Sequence, residues 1–196
     1  MSRPLSKFRL LAAVFALGVL ADQVTKFLAV DRLTQAFPRN GASTLPEKLV
    51  AFWKLRHLER FATEPFVVFR PLWRMNYVEN PNAAFGLGGF LPAGPRHAVF
   101  VIFALVAIGA VLWFYSRLGE RQRLQQVTLA LVLAGAVGNV VDRLVRRYVI
   151  DFVEWHWWNR PDLRWPTFNV ADSLLTVGIL LLILVPQERK SPAGGE

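Results

Sequence analysis

Long apolar runs separated by short polar segments dominate the pattern of this chain. A helix needs about 20 mostly apolar residues to cross the hydrocarbon core of a bilayer, and four runs approach or exceed that length. We place the predicted spans at residues 8–30, 98–115, 124–142 and 168–185. The pattern therefore predicts a mainly α membrane protein in which residues 1–196 form a single membrane domain with four transmembrane helices.

The segment between the first two spans, residues 31–97, is the only sizeable part predicted to lie outside the membrane. Within it, residues 48–61 interleave apolar and basic positions, which suits a short helix that either lies on the bilayer surface or packs on its own domain. Residues 66–69 and 72–78 have the composition of strands, and residues 38–46 that of a loop. We therefore predict a small β-sheet and a short surface helix outside the membrane.

The other connections are an inner loop at 116–123, an outer loop at 143–167 and an inner tail at 186–196. The basic start of the chain favours an N-terminus in the cytoplasm, and four spans then return the C-terminus to the same side. Lys and Arg number eight on the inner side and fourteen on the outer side, which opposes this orientation. Nine of the fourteen lie in the long first segment, which counts little in the rule, and we expect both termini in the cytoplasm.

The first span has a second interpretation as a cleavable signal peptide. It has a basic start, an apolar stretch at 10–20 and a possible cleavage site after Ala21. Apolar residues resume at 27–30, which makes the segment long enough to span a membrane. This length favours a transmembrane helix over a cleavable signal peptide.

Composition narrows the classes of function. The net charge is +9, and there is no cysteine, which excludes a disulfide, a thiolate nucleophile and a Cys metal site. Basic residues that flank spans contact anionic head groups, so we expect membrane lipids as partners and no nucleic acid. Trp residues in the outer loop suit an anchor in the membrane interface or the lining of a site for a lipid-bearing substrate. They are Trp155, Trp157, Trp158 and Trp165.

Two predicted spans each carry an Asn-x-x-Asp unit at one end. Positions i and i+3 share a helix face, so Asn139 lies beside Asp142, and Asn169 beside Asp172. An ionisable group at the edge of a span is costly and therefore often functional. Two carboxyl groups held close together share a proton, and the ionised one activates water, as in aspartic proteases. This chemistry needs no metal and no cofactor.

Simpler roles for these units are open as well. Asp142 could form an ion pair with Arg143 or Arg146 at the end of the span, and Asn169 could cap the fourth helix. Two such units at the same predicted face favour a functional pair over two unrelated structural ones.

Two further features of the sequence stand near predicted span ends. Asp22 and Lys26 have the i, i+4 spacing of a helical ion pair in the first span, which would orient that span and support a site. Asn80 opens a turn that also contains Pro81 and Asn82. Neither a Gly-x-Ser-x-Gly nor a His-Glu-x-x-His motif is present, which disfavours serine and zinc chemistry.

Together, four blocks of the chain resemble the motifs of the lipoprotein signal peptidases (signal peptidase II), a family of bacterial four-helix membrane aspartic proteases. The blocks are Asp22-Gln23-x-x-Lys26, Asn80-x-x-Ala83-Ala84-Phe85-Gly86, Gly135-Ala136-x-Gly138-Asn139-x-x-Asp142-Arg143 and Phe168-Asn169-x-Ala171-Asp172. The resemblance covers all four spans and implies that Asp142 and Asp172 are the catalytic pair. It also implies substrate-binding or supporting roles for Asn80, Asn139, Arg143, Asn169, Ala171, Asp22 and Lys26.

The resemblance implies an intramembrane endopeptidase that removes signal peptides from diacylglyceryl-modified prolipoproteins by cutting before the lipidated cysteine. It further implies a location in the bacterial cytoplasmic (inner) membrane, with the site toward the periplasmic side and a mobile helix over the site. We expect a monomer whose partners are the lipid-modified prolipoprotein and membrane lipids. Two departures from the family pattern are Asn82, where Gly is usual, and a longer first outer segment around residues 36–70. Asn tolerates a left-handed backbone better than other non-Gly residues, so the turn could survive.

Two other classes of protein compete with this interpretation. A proton-coupled small membrane transporter would also carry intramembrane Asp and Lys, but nearer mid-span and with little mass outside the membrane. An inactive homologue that binds lipoprotein precursors would keep the fold without the chemistry, and the retention of both aspartates argues against it.

Overall fold

The protein, analysed as a computed structural model, is described for residues 6–82, 93–158 and 160–184. Residues 83–86 of the second motif block and the predicted tail at 186–196 lie outside the described residues. Six helices, one 3-10 turn and four strands are described. In chain order they are α1 (Lys7–Leu33), α2 (Ala36–Arg39), α3 (Leu45–Lys54), the 3-10 turn (Glu59–Phe61), β1 (Phe66–Phe69), β2 (Trp73–Asn80), α4 (Ala93–Arg117), α5 (Arg123–Arg146), β3 (Val149–Trp157), β4 (Arg160–Arg164) and α6 (Val170–Leu184).

Three of the described helices, α1, α4 from Pro95 onward and α5, are long and apolar enough to cross a membrane. The fourth apolar helix, α6, has 15 described residues, and residue 185 of the predicted fourth span lies outside the described part. The predicted fold class, a mainly helical membrane protein with a small sheet and a short additional helix, is confirmed.

Helix α5 lies at the centre of the helical bundle. Within its most apolar stretch, 56% of the residues are buried inside the protein, against 6% for α4. Small residues make this burial possible, since a Cβ added to Gly135 would lie 2.4 Å from the main-chain oxygen of Ala171 on α6. Because α4 buries so little, its apolar surface is left for lipid, whereas α1 and α6 pack against α5.

The end of α5 differs from the predicted end of the third span. The helix continues past residue 142 to Arg146 and terminates where Arg147 adopts a left-handed conformation, with φ of 68°. The Arg147 N–H then donates to the Arg143 carbonyl, as in a common C-terminal helix cap. Asp142 therefore lies one turn inside the helix and not at its end.

The sheet is antiparallel with the strand order β1-β2-β3-β4. The predicted strands at 66–69 and 72–78 correspond to β1 and β2. The segment 143–167 was predicted as a loop, but it forms β3 and β4, with Asp151 paired opposite Val78 of β2. A further bridge joins Val153 to Phe168, just before α6, so β3 runs along the start of that helix.

Helix α3 is shorter than predicted because it ends at Lys54, and residues 59–61 form a separate 3-10 turn. A capping box starts it, in which Thr44 and Glu47 satisfy each other's free main-chain N–H groups. Phe52 is 2% exposed and packs edge-on against Phe27 of α1, so this helix is docked on its own domain. Leu49 and Trp53, which flank Phe52 on the helix surface, remain exposed, so α3 can also contact a bilayer surface.

Candidate active site

A buried network of charges lies where α1 and α5 meet. Lys26 and Asp22 form the predicted i, i+4 ion pair, with 2.9 Å between Lys26 Nζ and Asp22 Oδ2. Lys26 Nζ also lies 2.8 Å from Asp142 Oδ2 and donates to Asn139 Oδ1 at 3.1 Å. Lys26, Asp22 and Asp142 are fully buried, so each charge depends on its partners for compensation.

The carboxylate of Asp142 is occupied by partners on both oxygens. Arg146 Nη1 donates to Oδ1 at 2.7 Å, and Oδ2 faces Lys26 and accepts the Ile150 N–H at 3.2 Å. Two cations therefore contact the Asp142 carboxylate, and one of them, Lys26, is shared with Asp22. The ion pair with Arg146 is one of the simpler roles that the sequence left open for Asp142.

Asp172 lies at the start of α6 in a different arrangement. Asn169 caps the helix by a reciprocal pair of bonds: the Asp172 N–H donates to Asn169 Oδ1 at 2.9 Å, and the Asn169 N–H donates to Asp172 Oδ2 at 3.2 Å. Asn139 Nδ2 donates to the other oxygen, Oδ1, at 2.8 Å. The side chains of the two Asn-x-x-Asp units do meet, as predicted, through Asn139 and not through Asp142.

A carboxyl group that the sequence analysis did not single out, Asp151 of β3, completes the site. It is 1% exposed; Asn169 Nδ2 donates to its Oδ1 at 2.7 Å, and Asn80 Nδ2 donates to its Oδ2 at 2.9 Å. Burial and the neighbouring Asp172 carboxylate raise the pKa of Asp151 to about 7, against the two hydrogen bonds, which lower it. Asn169 thus hydrogen-bonds both carboxyl groups, Asp151 through its side chain and Asp172 through its main chain.

Asp151 was missed because it stands in an apolar run, between Ile150 and Phe152, that was assigned to a connecting loop. A lone carboxylate in a run of buried strand residues is itself a signal, since a buried charge without a partner is costly. Recognition of β3 as a strand would have made Asp151 a candidate.

The remaining predicted residues connect the helices and the turn that surround the site. The Ala171 N–H donates to Asp22 Oδ1 at 3.0 Å, which ties the start of α6 to α1. A Cβ at Gly138 would lie 2.6 Å from Asp22 Oδ2, so only glycine allows this approach. Arg143 Nη2 donates to the Asn82 carbonyl at 2.7 Å, and its guanidinium stacks on Phe100 at 5.2 Å.

An aromatic groove of about 1070 Å³ lies over the sheet. It is lined by Trp residues of β3 and of the segment after β4, together with apolar residues of β1 and β2. The Trp side chains are half or more exposed, at 53% for Trp155, 63% for Trp157 and 54% for Trp165. Exposed Trp in this number is typical of surfaces at the membrane–water interface. Within the described residues, no cluster of three or more His, Cys, Asp or Glu could hold a metal ion.

The fold and the site define a membrane-embedded protein in which a buried carboxyl group, Asp151, and a half-buried one, Asp172, bind a common asparagine. Residues 14–186 match the family described as signal peptidase (SPase) II. A lipoprotein signal peptidase of an Anaeromyxobacter species is 55% identical over 96% of this chain and 90% of that protein. One of Thermodesulfovibrio yellowstonii is 34% identical over 84% of this chain and 86% of that protein. The chain belongs to the signal peptidase II family.

Solved structures agree with this assignment at the level of the fold. Two bacterial membrane enzymes align with TM-scores of 0.66 and 0.62, at 22% and 23% identity. The first alignment covers 92% of this chain and 94% of the other, and the second covers 89% and 85%. The family relationship disfavours the two competing interpretations, a small transporter and an inactive precursor-binding protein.

Proposed function

We propose that this protein is an aspartic endopeptidase of the membrane that removes signal peptides from diacylglyceryl-modified prolipoproteins, cutting before the lipidated cysteine. Membership of the signal peptidase II family supports the substrate class, and relatives named lipoprotein signal peptidase match most of the chain. The observation that carries the chemistry is the pair of carboxyl groups, the buried Asp151 and the half-buried Asp172, that share Asn169 as a hydrogen-bond partner.

We assign the catalytic pair to Asp151 and Asp172, in place of the Asp142 and Asp172 pair expected from the sequence. Asp142 lies between Lys26 and Arg146, so its protonation would leave Lys26 with Asp22 as its remaining partner and the buried Arg146 without a carboxylate partner among the described residues. Asp151 accepts hydrogen bonds only from neutral amides among the contacts described. A carboxyl group with a pKa of about 7 retains its proton in a large fraction of molecules at neutral pH.

In the proposed reaction, Asp172 is ionised and Asp151 carries the shared proton. Asp172 takes a proton from water as the water oxygen attacks the carbonyl carbon of the scissile peptide bond, and Asp151 donates its proton to the carbonyl oxygen. In the resulting tetrahedral intermediate, the C–N bond breaks as Asp172 passes its proton to the leaving nitrogen, and the hydroxyl proton returns to Asp151. Asn139 and Asn169 hold Asp172 for both steps.

The membrane placement is part of the same proposal. We place the N- and C-termini in the cytoplasm and the site at the periplasmic side of the bacterial inner membrane, where water reaches a bond whose substrate is anchored in lipid. The exposed Trp groove would then sit at the outer interface and contact membrane lipids. We propose that a monomer is sufficient, since every residue of the proposed site comes from one chain.

A gel-shift cleavage assay tests the assignment. Purified protein in detergent is given a diacylglyceryl-modified prolipoprotein, with the unlipidated precursor as substrate control and three isosteric variants, Asp151→Asn, Asp172→Asn and Asp142→Asn. Thermal unfolding of each variant separates loss of chemistry from loss of fold. We expect Asp151→Asn and Asp172→Asn to fold and to lose cleavage of the lipidated substrate.

Asp142→Asn is the matched comparison. It leaves Lys26 and Arg146 partly unpaired and should lower the free energy of unfolding by roughly 3 kcal/mol or more. Asp142→Asn protein that remains folded should still cleave the lipidated precursor. Cleavage by folded Asp151→Asn at the wild-type rate, together with none by folded Asp142→Asn, would return the catalytic pair to Asp142 and Asp172. Failure of folded wild type to cleave the lipidated precursor would refute the peptidase proposal.

A further inference from the structure

The turn after β2 holds one of the two amides that bind Asp151. The Asn82 N–H donates to Asn80 Oδ1 at 2.9 Å, and Asn80 Nδ2 donates to Asp151 Oδ2 at 2.9 Å. The Asn80 side chain is therefore fixed at both ends, by the turn at its oxygen and by the carboxyl group at its nitrogen. This arrangement is an Asx-type turn, which aligns an amide side chain against its own main chain.

Asn82 is in turn held by two helices. Its main-chain carbonyl accepts Arg143 Nη2 of α5 at 2.7 Å, and its side-chain Oδ1 accepts Arg96 Nη1 of α4 at 3.0 Å. The first contact would exist with any residue at this position, including the glycine that is usual in the resembling family. The second needs a side chain with a carbonyl oxygen, so it belongs to this chain's asparagine.

The contact with Arg96 matters because α4 is the least buried of the long helices. A charge-assisted hydrogen bond to a half-buried residue is among the stronger tethers that a polar pair can form. It ties the turn that contains Asn82 to Arg96 near the start of α4, so that this turn is held from α4 as well as from α5.

We propose that Arg96 and Asn82 are positioning residues for peptide-bond cleavage, and that the chain of hydrogen bonds Arg96–Asn82–Asn80 holds the Asn80 amide on the Asp151 carboxyl group. The inference rests on the proposed function and on Asp151 as one of its two acids. Neither Arg96 nor Asn82 needs to touch the substrate. Their effect reaches the reacting atoms through Asn80, so it acts on the chemical step more than on binding of the substrate.

A double-mutant cycle tests the chain of bonds. The variants are Arg96→Gln, Asn82→Ala, the combination of both, and Asn82→Gly, assayed for kcat and KM with the diacylglyceryl-modified prolipoprotein. We expect each single variant to lower kcat by roughly tenfold, the scale of one charge-assisted hydrogen bond, with KM within about twofold of wild type. The combination should lose no more than the worse single variant, because both remove the same contact.

Three comparisons separate this role from general effects. Arg147→Gln removes an exposed positive charge that acts on His97, the residue next to Arg96, and should leave kcat unchanged, which excludes a loss of net charge as the cause. Asn82→Gly should behave as Asn82→Ala does; a loss in the glycine variant alone would attribute the effect to main-chain freedom and would overturn the proposal. Arg96→Lys keeps one donor and should recover part of the rate.

Other outcomes also decide the question. Multiplicative losses in the combined variant, a change confined to KM, or wild-type kcat in Arg96→Gln would each overturn the proposal while cleavage by wild type still stood. Absence of cleavage by folded wild type would instead overturn the proposed function, so the two failures are distinguishable. Thermal unfolding of the four variants should remain close to that of wild type, since the turn lies outside the buried core.

Discussion

A tight contact between α5 and α6 makes the substitution Gly135→Ala informative. A Cβ at this position of α5 would lie 2.4 Å from the main-chain oxygen of Ala171 and 2.8 Å from Leu175 Cγ. Carbon–oxygen contacts between packed backbones are about 3.3 Å or longer, so α6 must retreat by roughly 0.9 Å (3.3 minus 2.4). The displaced segment includes Asp172, the residue after Ala171.

The size of the effect follows from this displacement. Overpacking of a tight interior contact costs roughly 1–3 kcal/mol, which for a chain of this length lowers the melting temperature by roughly 3–10 °C. A shift of about 1 Å in a catalytic group can cost roughly 100-fold in rate. We therefore expect Gly135→Ala to remain folded at room temperature and to lose about two orders of magnitude in kcat.

The assay is cleavage of the lipidated prolipoprotein by purified variants, alongside thermal unfolding in the same detergent. Gly109→Ala on α4 is the matched control, since an added Cβ there has nothing within 4 Å and should be neutral or stabilising by up to about 1 kcal/mol. Gly178→Ala should lie between the two, because its shortest contact, 2.6 Å, is to the end of the Val132 side chain. Equal melting temperatures and rates for Gly135→Ala and Gly109→Ala would refute the packing argument.

For three other substitutions, the structure predicts the direction of the change in pKa, stability or proteolysis. Asn80→Ala removes a hydrogen bond that lowers the pKa of Asp151, so this pKa should rise above about 7, and the alkaline fall in kcat/KM should move to higher pH. Arg146→Met deprives Asp142 and the Phe52 carbonyl of a donor, and it should lower the free energy of unfolding by roughly 3 kcal/mol, measured by chemical or thermal unfolding. Glu47→Gln should abolish an acid-dependent loosening of α3, measured by limited proteolysis between pH 2 and 6. Main-chain and hydroxyl donors lower the pKa of Glu47 to about 2, so its contribution is present above its ordinary pKa of 4.5 and is lost as the pH falls toward 2.

Each of these has an outcome that would contradict it. If the alkaline fall in kcat/KM occurs at the same pH in Asn80→Ala as in wild type, the ionisation of Asp151 does not control it. Wild-type stability of Arg146→Met would show that Lys26 alone compensates Asp142. Equal proteolysis of α3 at pH 2 and pH 6 in wild type would remove Glu47 as the acid-sensitive cap.

Two parts of the site were predicted correctly for local reasons. In the unit Asn169-x-x-Asp172, each side chain accepts the main-chain N–H of the other residue, because positions three apart adjoin on a helix and a reciprocal cap uses the same spacing. The Asp22–Lys26 ion pair follows from the i, i+4 rule within α1. Neither arrangement depends on where another element packs, so the sequence was sufficient.

The partners of Asp142 show the limit of that reasoning. Its own helix offers both Arg143 and Arg146 as partners, and only the packing of α1 adds Lys26. The direction of Arg143, toward the Asn82 carbonyl, depends on the turn after β2. Local spacing placed a carboxylate correctly on a helix face and could not tell whether its partners were cations or a second acid.

The sequence by itself determined the membrane class, the apolar helices, the helix-borne Asn-x-x-Asp units and the ion pair of α1, because each is encoded in spacing along one element. Only the tertiary structure decided which carboxyl groups adjoin. Asp151 reaches Asn169 because β3 runs beside the start of α6, a pairing between residues 18 apart in sequence that no helical or strand period contains. Proton sharing depends on distances of a few ångströms between separate elements, and those distances are set by packing.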